Sequence, residues 1–214
     1  MNELPIFQVD AFASAPFKGN PAAVVLLKQS LPDRVLQAVA AENNLSETAF
    51  VEKQGDHFLI RWFTPTTEVE LCGHATLAAA FVLFARNEVD GDRMRFESAS
   101  GQLQVIQSAE GWLTLDFPAL PPQQIEVRRE FGEALGLEPR EAWLARDLLL
   151  VYPDEDAILQ LQPDFARITQ LDLFAMVPTA PGREVDFVSR FFAPREGVPE
   201  DPVTGSAHCS LTPF

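Results

Sequence analysis

One segment of this 214-residue chain restricts the possible folds more than any other. Residues 77–85 are apolar on every face of the helix that they predict, and a helix without a polar face has to be covered by other elements. A sharp turn at Cys72 and Gly73 precedes this segment. The first turn of a helix has backbone N–H groups without partners inside the helix, and these groups attract anions. The sequence therefore predicts a buried central helix whose start, including His74, belongs to a functional site.

Charge and composition exclude several classes of protein. The net charge of −15 argues against binding to nucleic acid or to anionic membranes, since both need a basic surface. The amino-terminal residues lack the basic region and the apolar run of a signal peptide, and the longest apolar run is too short to cross a bilayer. Two cysteines do not make a disulfide framework. We therefore expect a cytoplasmic protein that binds neither nucleic acid nor membranes.

Periodicity and turn residues predict two domains, residues 1–117 and 118–214, joined where Pro118, Pro121 and Pro122 crowd a short linker. Strands of the first domain are predicted at residues 6–10, 22–27, 48–53, 57–64, 93–98, 103–108 and 112–117. Its first helix is predicted to follow an N-cap at Ser30, with Pro32 and Asp33 in its first turn, and to stop at Asn43 and Asn44. Its second helix is the central segment after Gly73. For the second domain the patterns predict helices at residues 128–137 and 154–171, broken at Pro163, and strands at residues 148–152, 173–177 and 185–192.

The two halves contain an internal repeat. Residues 57–65 (HFLIRWFTP) and 186–194 (DFVSRFFAP) share Phe, Arg, Phe and Pro in register. Three extra residues later, residues 73–75 (GHA) match residues 205–207 (GSA). Self-similarity of this kind indicates a duplicated architecture. Two helices that begin near these glycines would present two sets of backbone N–H groups to one small anion, most naturally a carboxylate, because small ligands favour interfaces between domains.

Four motifs resemble the PhzF (phenazine biosynthesis) family, and they occur in the family's order along the whole chain. They are residues 17–24 (FKGNPAAV), 46–50 (SETAF), 72–76 (CGHAT) and 200–208 (EDPVTGSAH). The resemblance implies the diaminopimelate epimerase-like fold, an α/β (α+β) architecture of two similar, pseudo-symmetric domains. Each domain would be a barrel-like, mostly antiparallel sheet around a central helix. It also implies a cofactor-independent isomerase, usually a homodimer, in which one carboxylate moves a proton on a small cyclic acid during the biosynthesis of small metabolites.

The resemblance also assigns roles to single residues. It implies Glu47 as the general acid and base, with His74 and Asp201 as the other catalytic residues. It implies contact with a small carboxylate substrate for Gly73, Gly205, Ser206, Thr204, Asn20 and Cys72. It implies no metal ion and no cofactor.

Without the resemblance, the same residues are compatible with structural roles. Glu47 is either a solvated loop residue or a half-buried carboxylate able to exchange protons near neutral pH. His74 either binds a substrate or caps its helix. Asp201 suits a turn, Ser206 can satisfy backbone groups in a first helical turn, and Asn20 can shape the turn before its strand.

A thiol-assisted racemase or epimerase is the first alternative chemistry. Cys72 matches the position of one catalytic thiol in the related epimerases. Where their second thiol is expected, this chain has Asp201 or Pro202, which disfavours two-thiol racemisation. Cys209 falls too late in the sequence and is interpreted as a small buried apolar residue.

A zinc site is the second alternative. Cys72, His74, His208 and Cys209 would supply four ligands of the type that zinc prefers. Their spacing fits no common pair of zinc ligands, and adjacent helical residues point in different directions. The hypothesis therefore ranks below the isomerase.

The carboxyl end departs from the family pattern. The family's chains continue past the second helix, whereas this chain ends at Phe214, which the internal register aligns with Val82. We therefore expect a truncated second domain that lacks its closing strands, is the less stable half, and masks exposed apolar residues by self-association. A non-catalytic remnant that only binds small acids is the alternative that this ending leaves open.

Overall fold

A computed structural model describes residues 3–15 and 17–214 of the chain. The chain divides into two compact units, residues 1–117 and 118–214. The division falls immediately before Pro118, at the start of the proline-rich segment.

The first unit is an eight-stranded sheet with two helices. Its strands are β1 (Ile6–Ala11), β2 (Asn20–Leu27), β3 (Glu47–Gln54), β4 (His57–Phe63), β5 (Glu68–Val69), β6 (Arg93–Ser98), β7 (Gly101–Gln107) and β8 (Leu113–Asp116). Its helices are α1 (Asp33–Asn43) and α2 (Gly73–Ala85). The strand order is β1-β2-β3-β4-β6-β7-β8, with β5 paired to β4. Most neighbours are antiparallel, whereas β2–β3 and β4–β6 are parallel. The sequence predicted all seven of the longer strands.

Helix α2 contacts β1, β2, β3 and β8 and forms the centre of the first unit. It begins at Gly73, with Cys72 as its extended N-cap residue, as its sequence predicted. Ala75, Ala79 and Ala80 are fully buried, because small side chains let the helix lie close to the sheet. The prediction of burial on every face is wrong for the last turns, where Phe81 is 54% exposed.

The second unit is a seven-stranded sheet with shorter helices. Its strands are β9 (Gln123–Ile125), β10 (Glu141–Leu144), β11 (Leu148–Val151), β12 (Met176–Pro181), β13 (Phe187–Ser189), β14 (Phe191–Ala193) and β15 (Val198–Asp201). Its helices are α3 (Arg129–Leu135), α4 (Glu155–Gln160), α5 (Phe165–Gln170) and α6 (His208–Leu211), with a 3-10 turn at Pro194–Glu196. The strand order is β15-β14-β12-β11-β10-β9, with β13 paired to β12.

Three predictions for the second unit need correction. The strand predicted at residues 173–177 begins only at Met176, where pairing with Leu148 of β11 starts. The strand predicted at residues 185–192 is split into β13 and β14. The interruption is at Arg190, whose backbone N–H donates to Pro178 O and whose side chain donates to the carbonyl oxygens of Ile158 and Leu161.

The second helix, predicted to begin near Gly205, is also shorter than expected and starts only at His208. Its first bonds run from His208 N to Gly205 O and from Cys209 N to Ser206 O, both 3.1 Å. These are three-residue spacings of the 3-10 type, which wind the backbone more tightly than an α-helix. Only the four residues of α6 are α-helical.

The internal repeat is present as a repeated side-chain cluster. Arg61 makes two 2.7 Å bonds to Glu68, and its guanidinium lies 5.1 Å from the ring of Phe63. In the second unit, Arg190 binds Glu200 at 2.7 and 2.9 Å and lies 4.9 Å from the ring of Phe192. Each cluster ties one strand to the strand that returns beside it, which explains why Arg and Phe recur two residues apart in both units.

Both units also use the same connections. Each unit begins this series with two parallel strands joined by a helical crossover, β2–β3 in the first unit and β11–β12 in the second. An antiparallel pairing follows, β3–β4 or β12–β14. A short returning strand and a helix then complete the series. Within the described residues, no helix is long and apolar enough to cross a membrane.

Candidate active site

Asn20 is placed at the first residue of β2, fully buried. The turn before it depends on Gly19, which has φ +84° and lies so close to Ala11 that an added Cβ would be 2.2 Å from Ala11 O. Only glycine combines this φ with this approach. The Asn20 side-chain Nδ2 lies 3.4 Å from Nδ1 of His74, so Asn20 does more than shape a turn.

Glu47 is the first residue of β3, paired with Ala22 of β2. Its carboxylate lies against the start of α2, where Oε2 is 3.3 Å from Nε2 of His74. The Glu47 side chain is 13% exposed and that of His74 is 3% exposed. The interpretation of Glu47 as a solvated loop residue is therefore wrong: the carboxylate is largely buried beside an imidazole.

Burial lowers the pKa of His74 from 6.5 to about 4, because a charged ring loses its hydration there. The imidazole is therefore neutral at pH 7. An asparagine Nδ2 can only donate, so Nδ1 of His74 accepts from Asn20 and the ring hydrogen is on Nε2. This N–H faces Glu47, and no group within the described residues completes a hydrogen bond with Nε2 in good geometry. Catalytic hydrogen bonds are often poorly aligned before a substrate binds.

Cys72 completes this group of side chains. Its Sγ lies 3.6 Å from Nδ1 of His74, and the residue is 5% exposed. Thr76 fixes the Cys72 backbone, since both its N–H and its hydroxyl donate to Cys72 O. Each of the three side chains has one atom that could bind a metal ion, and these atoms of Glu47, Cys72 and His74 lie within 4.8 Å of one another.

The burial of His74 leads to a stability prediction. Between pH 6.5 and about 4 the unfolded chain binds a proton at His74 that the folded chain does not, so stability is lost as the pH falls through this window. A shift from 6.5 to about 4 corresponds to about 3 kcal/mol of lost unfolding free energy at pH 4 relative to pH 7. The His74→Gln variant should lose less unfolding free energy between pH 7 and pH 4 than the wild type does, and urea unfolding at the two pH values measures the difference. The exposed His208 supplies the control: if His208→Gln reduces this loss as much as His74→Gln does, the assignment to His74 is wrong.

The motif residues of the second unit form a hydrogen-bonded cluster within that unit. Asp201, at the end of β15, accepts a 2.6 Å hydrogen bond from Thr204 Oγ1. Ser206 is 7% exposed and its hydroxyl accepts from Arg146 Nη2 at 3.3 Å. Gly205 is half-buried, and its carbonyl accepts from the start of α6. The cluster therefore holds the 200–208 motif by side-chain bonds, not by a long helix.

Sequence reasoning missed Arg146 and Asp147. Asp147 is 1% exposed and receives two 2.8 Å bonds from the Arg146 guanidinium. Arg146 also lies 4.6 Å from the ring of Phe174. A charged pair immediately before three consecutive leucines was the available signal, because charges next to a buried strand need a partner.

The structure does not support a second helix start as an anion site. Helix α6 has only four residues, too few to align a substantial dipole, whereas α2 has thirteen. Cationic charge beside Ser206 comes from Arg146 instead. Cys209 is 4% exposed, as predicted, and burial raises the pKa of its thiol.

The two units differ at the position of Glu47. Phe63 and Phe192 are equivalent in the repeat, and they pair with Thr48 and Met176, respectively. The residue before Thr48 is Glu47, so its counterpart in the second unit is Ala175, which packs against Ala207 and Leu211 in an apolar cluster. The carboxylate is therefore specific to the first unit.

Comparison with known proteins identifies close relatives along nearly the whole chain. The family model of PhzC-PhzF, described as phenazine biosynthesis-like protein, matches residues 9–214. An uncharacterized isomerase of Pseudomonas aeruginosa is 52% identical over 213 residues, which are 99% of this chain and 81% of the relative.

Solved structures agree with this assignment. A PhzF-family protein of Enterococcus faecalis superposes with a TM-score of 0.90 at 49% identity, covering 98% of this chain and 81% of that one. A predicted epimerase of Pseudomonas aeruginosa has a TM-score of 0.72 at 21% identity, covering 96% and 78% of the two chains, and shows the fold alone. The predicted family and the two-domain epimerase-like fold are confirmed, whereas the roles of the single site residues stay predictions.

Proposed function

The chain belongs to the PhzC-PhzF family, and on that premise we propose that it is a cofactor-independent isomerase in which Glu47 moves a proton on a small carboxylic acid. The observation that carries this proposal is the Glu47–His74 contact at the start of α2. A carboxylate that is 13% exposed and lies beside a neutral imidazole is suited to taking up and releasing a proton near neutral pH.

The chemistry needs one group that acts first as a base and then as an acid. The Glu47 carboxylate removes a proton from a carbon next to an unsaturated, electron-withdrawing group, and the electron pair left on carbon moves into that group. The protonated Glu47 then returns the proton to another carbon of the same system. No electrons or atoms are gained or lost, so the product is an isomer.

His74 acts on Glu47 through its Nε2–H. A neutral donor stabilises the carboxylate without fixing it in an ion pair. Asn20 holds the ring tautomer that places this hydrogen on Nε2. Asp201, Thr204, Gly205 and Ser206 stay predicted substrate-contact residues.

The geometry disfavours a two-base racemase that uses Cys72 with Glu47. Two bases on opposite faces of one carbon would each lie about 3–3.5 Å from it, and would therefore be about 6–7 Å apart. The sulfur of Cys72 and a Glu47 oxygen are less than 4.8 Å apart. The two groups are too close together to act on opposite faces of one carbon, which favours proton transfer along a single face of the substrate.

This distinction predicts the behaviour of a Cys72→Ser variant. We expect solvent-deuterium incorporation to fall by less than about tenfold, because Cys72 only borders His74, whereas loss of a general base costs about 10²–10⁴-fold. Mass spectrometry of the substrate after incubation in D₂O measures it. A loss of about a thousandfold in this correctly folded variant would establish the thiol as an acid–base group and overturn the one-carboxylate mechanism.

The substrate itself can be found by thermal stabilisation. Small cyclic and amino carboxylic acids should be screened, since a ligand at 100 times its Kd stabilises the folded state by about 2.7 kcal/mol. Each hit is then compared with its neutral amide, which should bind more weakly. If acid and amide bind equally well, the substrate class is wrong. The homodimer implied by the resemblance also stays a prediction, for which sedimentation across dilution is the measurement.

A further inference from the structure

Three side chains with metal-binding atoms converge in the first unit. Glu47 Oε2 lies 3.3 Å from His74 Nε2, and Cys72 Sγ lies 3.6 Å from His74 Nδ1. Among the described residues, these three side chains are grouped closely enough to hold one metal ion. Each offers one ligand atom, and the three atoms lie within 4.8 Å of one another. Cys72 and His74 are buried, and the Glu47 side chain is 13% exposed.

We propose that Glu47, Cys72 and His74 bind a zinc ion. Zinc takes a Cys sulfur at about 2.3 Å, a His nitrogen at about 2.0 Å and a carboxylate oxygen at about 2.0 Å in tetrahedral geometry, which puts neighbouring ligand atoms about 3.3–3.6 Å apart. Zinc on Nε2 has one ligand already at this separation, because Glu47 Oε2 lies 3.3 Å from that nitrogen. The ring hydrogen then moves to Nδ1, and the Asn20 amide turns its oxygen to accept it. Cys72 Sγ lies on the Nδ1 side of the ring, so it has to move towards the ion by about 1 Å from a position within 4.8 Å of the other two ligand atoms.

The donor set selects zinc over the commoner cations. One sulfur, one nitrogen and one oxygen suit a borderline-soft ion, whereas calcium and magnesium prefer oxygen ligands alone. Three protein ligands leave a fourth position for water or a substrate atom. The net charge of −15 also raises the local concentration of cations around the chain.

This ligand set differs from the four-residue set of the sequence-based hypothesis. His208 is exposed, with its ring 5.6 Å from that of Phe187 and its Nδ1 3.2 Å from Thr204 O. Cys209, the next residue, is buried. The two side chains thus point in different directions, and Glu47 replaces them as the third ligand.

Zinc at this position would inhibit the isomerase. A carboxylate that coordinates the ion cannot remove a proton from carbon, so the zinc form lacks its base. This consequence rests on the proposed function, whereas zinc binding itself does not. The zinc acts here as a reversible inhibitor, not as a cofactor.

The test uses the full chain, stripped of metal and titrated with zinc against a chromophoric chelator. We expect one zinc per chain. Loss of even an outer-sphere partner costs about 10–100-fold in affinity, so loss of a ligand in Cys72→Ser or His74→Gln should cost about 100-fold or more. The matched controls, Cys209→Ser and His208→Gln, remove the same residue types from the second unit and should bind zinc like the wild type.

Cobalt(II) binding to the wild type gives a second measurement, which does not depend on whether a variant folds. The wild type loaded with cobalt should show a sulfur-to-metal charge-transfer band and the visible bands of tetrahedral coordination. Absence of the sulfur band, zinc binding that survives Cys72→Ser, or loss of zinc in Cys209→Ser would each overturn the proposal.

Measuring deuterium incorporation distinguishes failure of the zinc site from failure of the proposed isomerase function. If zinc binds with the expected variant pattern but no substrate exchanges deuterium, the zinc site stands and the proposed function fails. If the wild type exchanges deuterium and stoichiometric zinc neither binds nor slows the exchange, the function stands and the zinc site is wrong.

Discussion

Replacing Glu47 with glutamine is expected to abolish solvent-deuterium incorporation into the substrate. Glutamine keeps the shape of the side chain and its place beside His74 Nε2, but it cannot accept and return a proton. General acid–base groups contribute about 10²–10⁴-fold to a rate. Since one carboxylate here serves as base and then as acid in the same turnover, we expect a loss of at least about 10³-fold. The measurement is mass spectrometry of the substrate after incubation in D₂O.

Glu52 supplies a matched control for this substitution. It lies on the same strand β3, and its carboxylate accepts a hydrogen bond from Gln54 at an exposed position. Glu52→Gln should exchange deuterium at the wild-type rate. Unfolding temperatures of both variants must be recorded, so that lost exchange is not confused with lost structure. Full exchange by folded Glu47→Gln would contradict the assignment of the acid and base.

The largest effect on stability is expected at the Arg146–Asp147 pair. Arg146→Met removes the guanidinium that makes two 2.8 Å bonds to a carboxylate that is 1% exposed. An uncompensated buried charge costs about 3–5 kcal/mol. Hydrogen exchange followed by mass spectrometry should show lost protection in β11, which starts directly after Asp147, and urea unfolding gives the free energy.

An exposed arginine of the same unit provides the comparison. Arg195 binds Asp172 at 3.0 Å, but the two side chains are 42% and 104% exposed. Arg195→Met should therefore cost less than about 1 kcal/mol, because water already solvates both charges. Adding Asp147→Asn to Arg146→Met should recover part of the loss, since it removes the stranded charge. Equal costs for Arg146→Met and Arg195→Met would refute the buried-pair explanation.

The first unit could be predicted largely from the sequence. Its strands alternate apolar and polar residues, its turns carry glycine, and α2 is apolar enough to define its own burial. These are local properties, so they survive folding with only one or two residues of error at the ends. The second unit was predicted less well. Strands β9 and β10 have three and four residues, too short for a periodic pattern, and β12 and α6 both start later than the apolar pattern suggested.

Sequence by itself determined the family, the duplicated architecture and the identity of the candidate residues, because motif order and the Phe-Arg-Phe-Pro repeat are properties of the chain read along its length. Only the tertiary structure decided which of those residues meet. Asn20, Glu47 and His74 are 27 or more positions apart, and β2, β3 and α2 bring them into contact. The same is true of Arg146 and Ser206, which are 60 positions apart.

The asymmetry between the units was also decided by the fold. Ala175 is identified as the counterpart of Glu47 only through the pairing of β12 with β14, because the sequence repeat does not extend that far. Burial acts in the same way: a histidine's pKa of about 4 depends on the side chains that surround the ring in space, and a sequence does not state which ones they are.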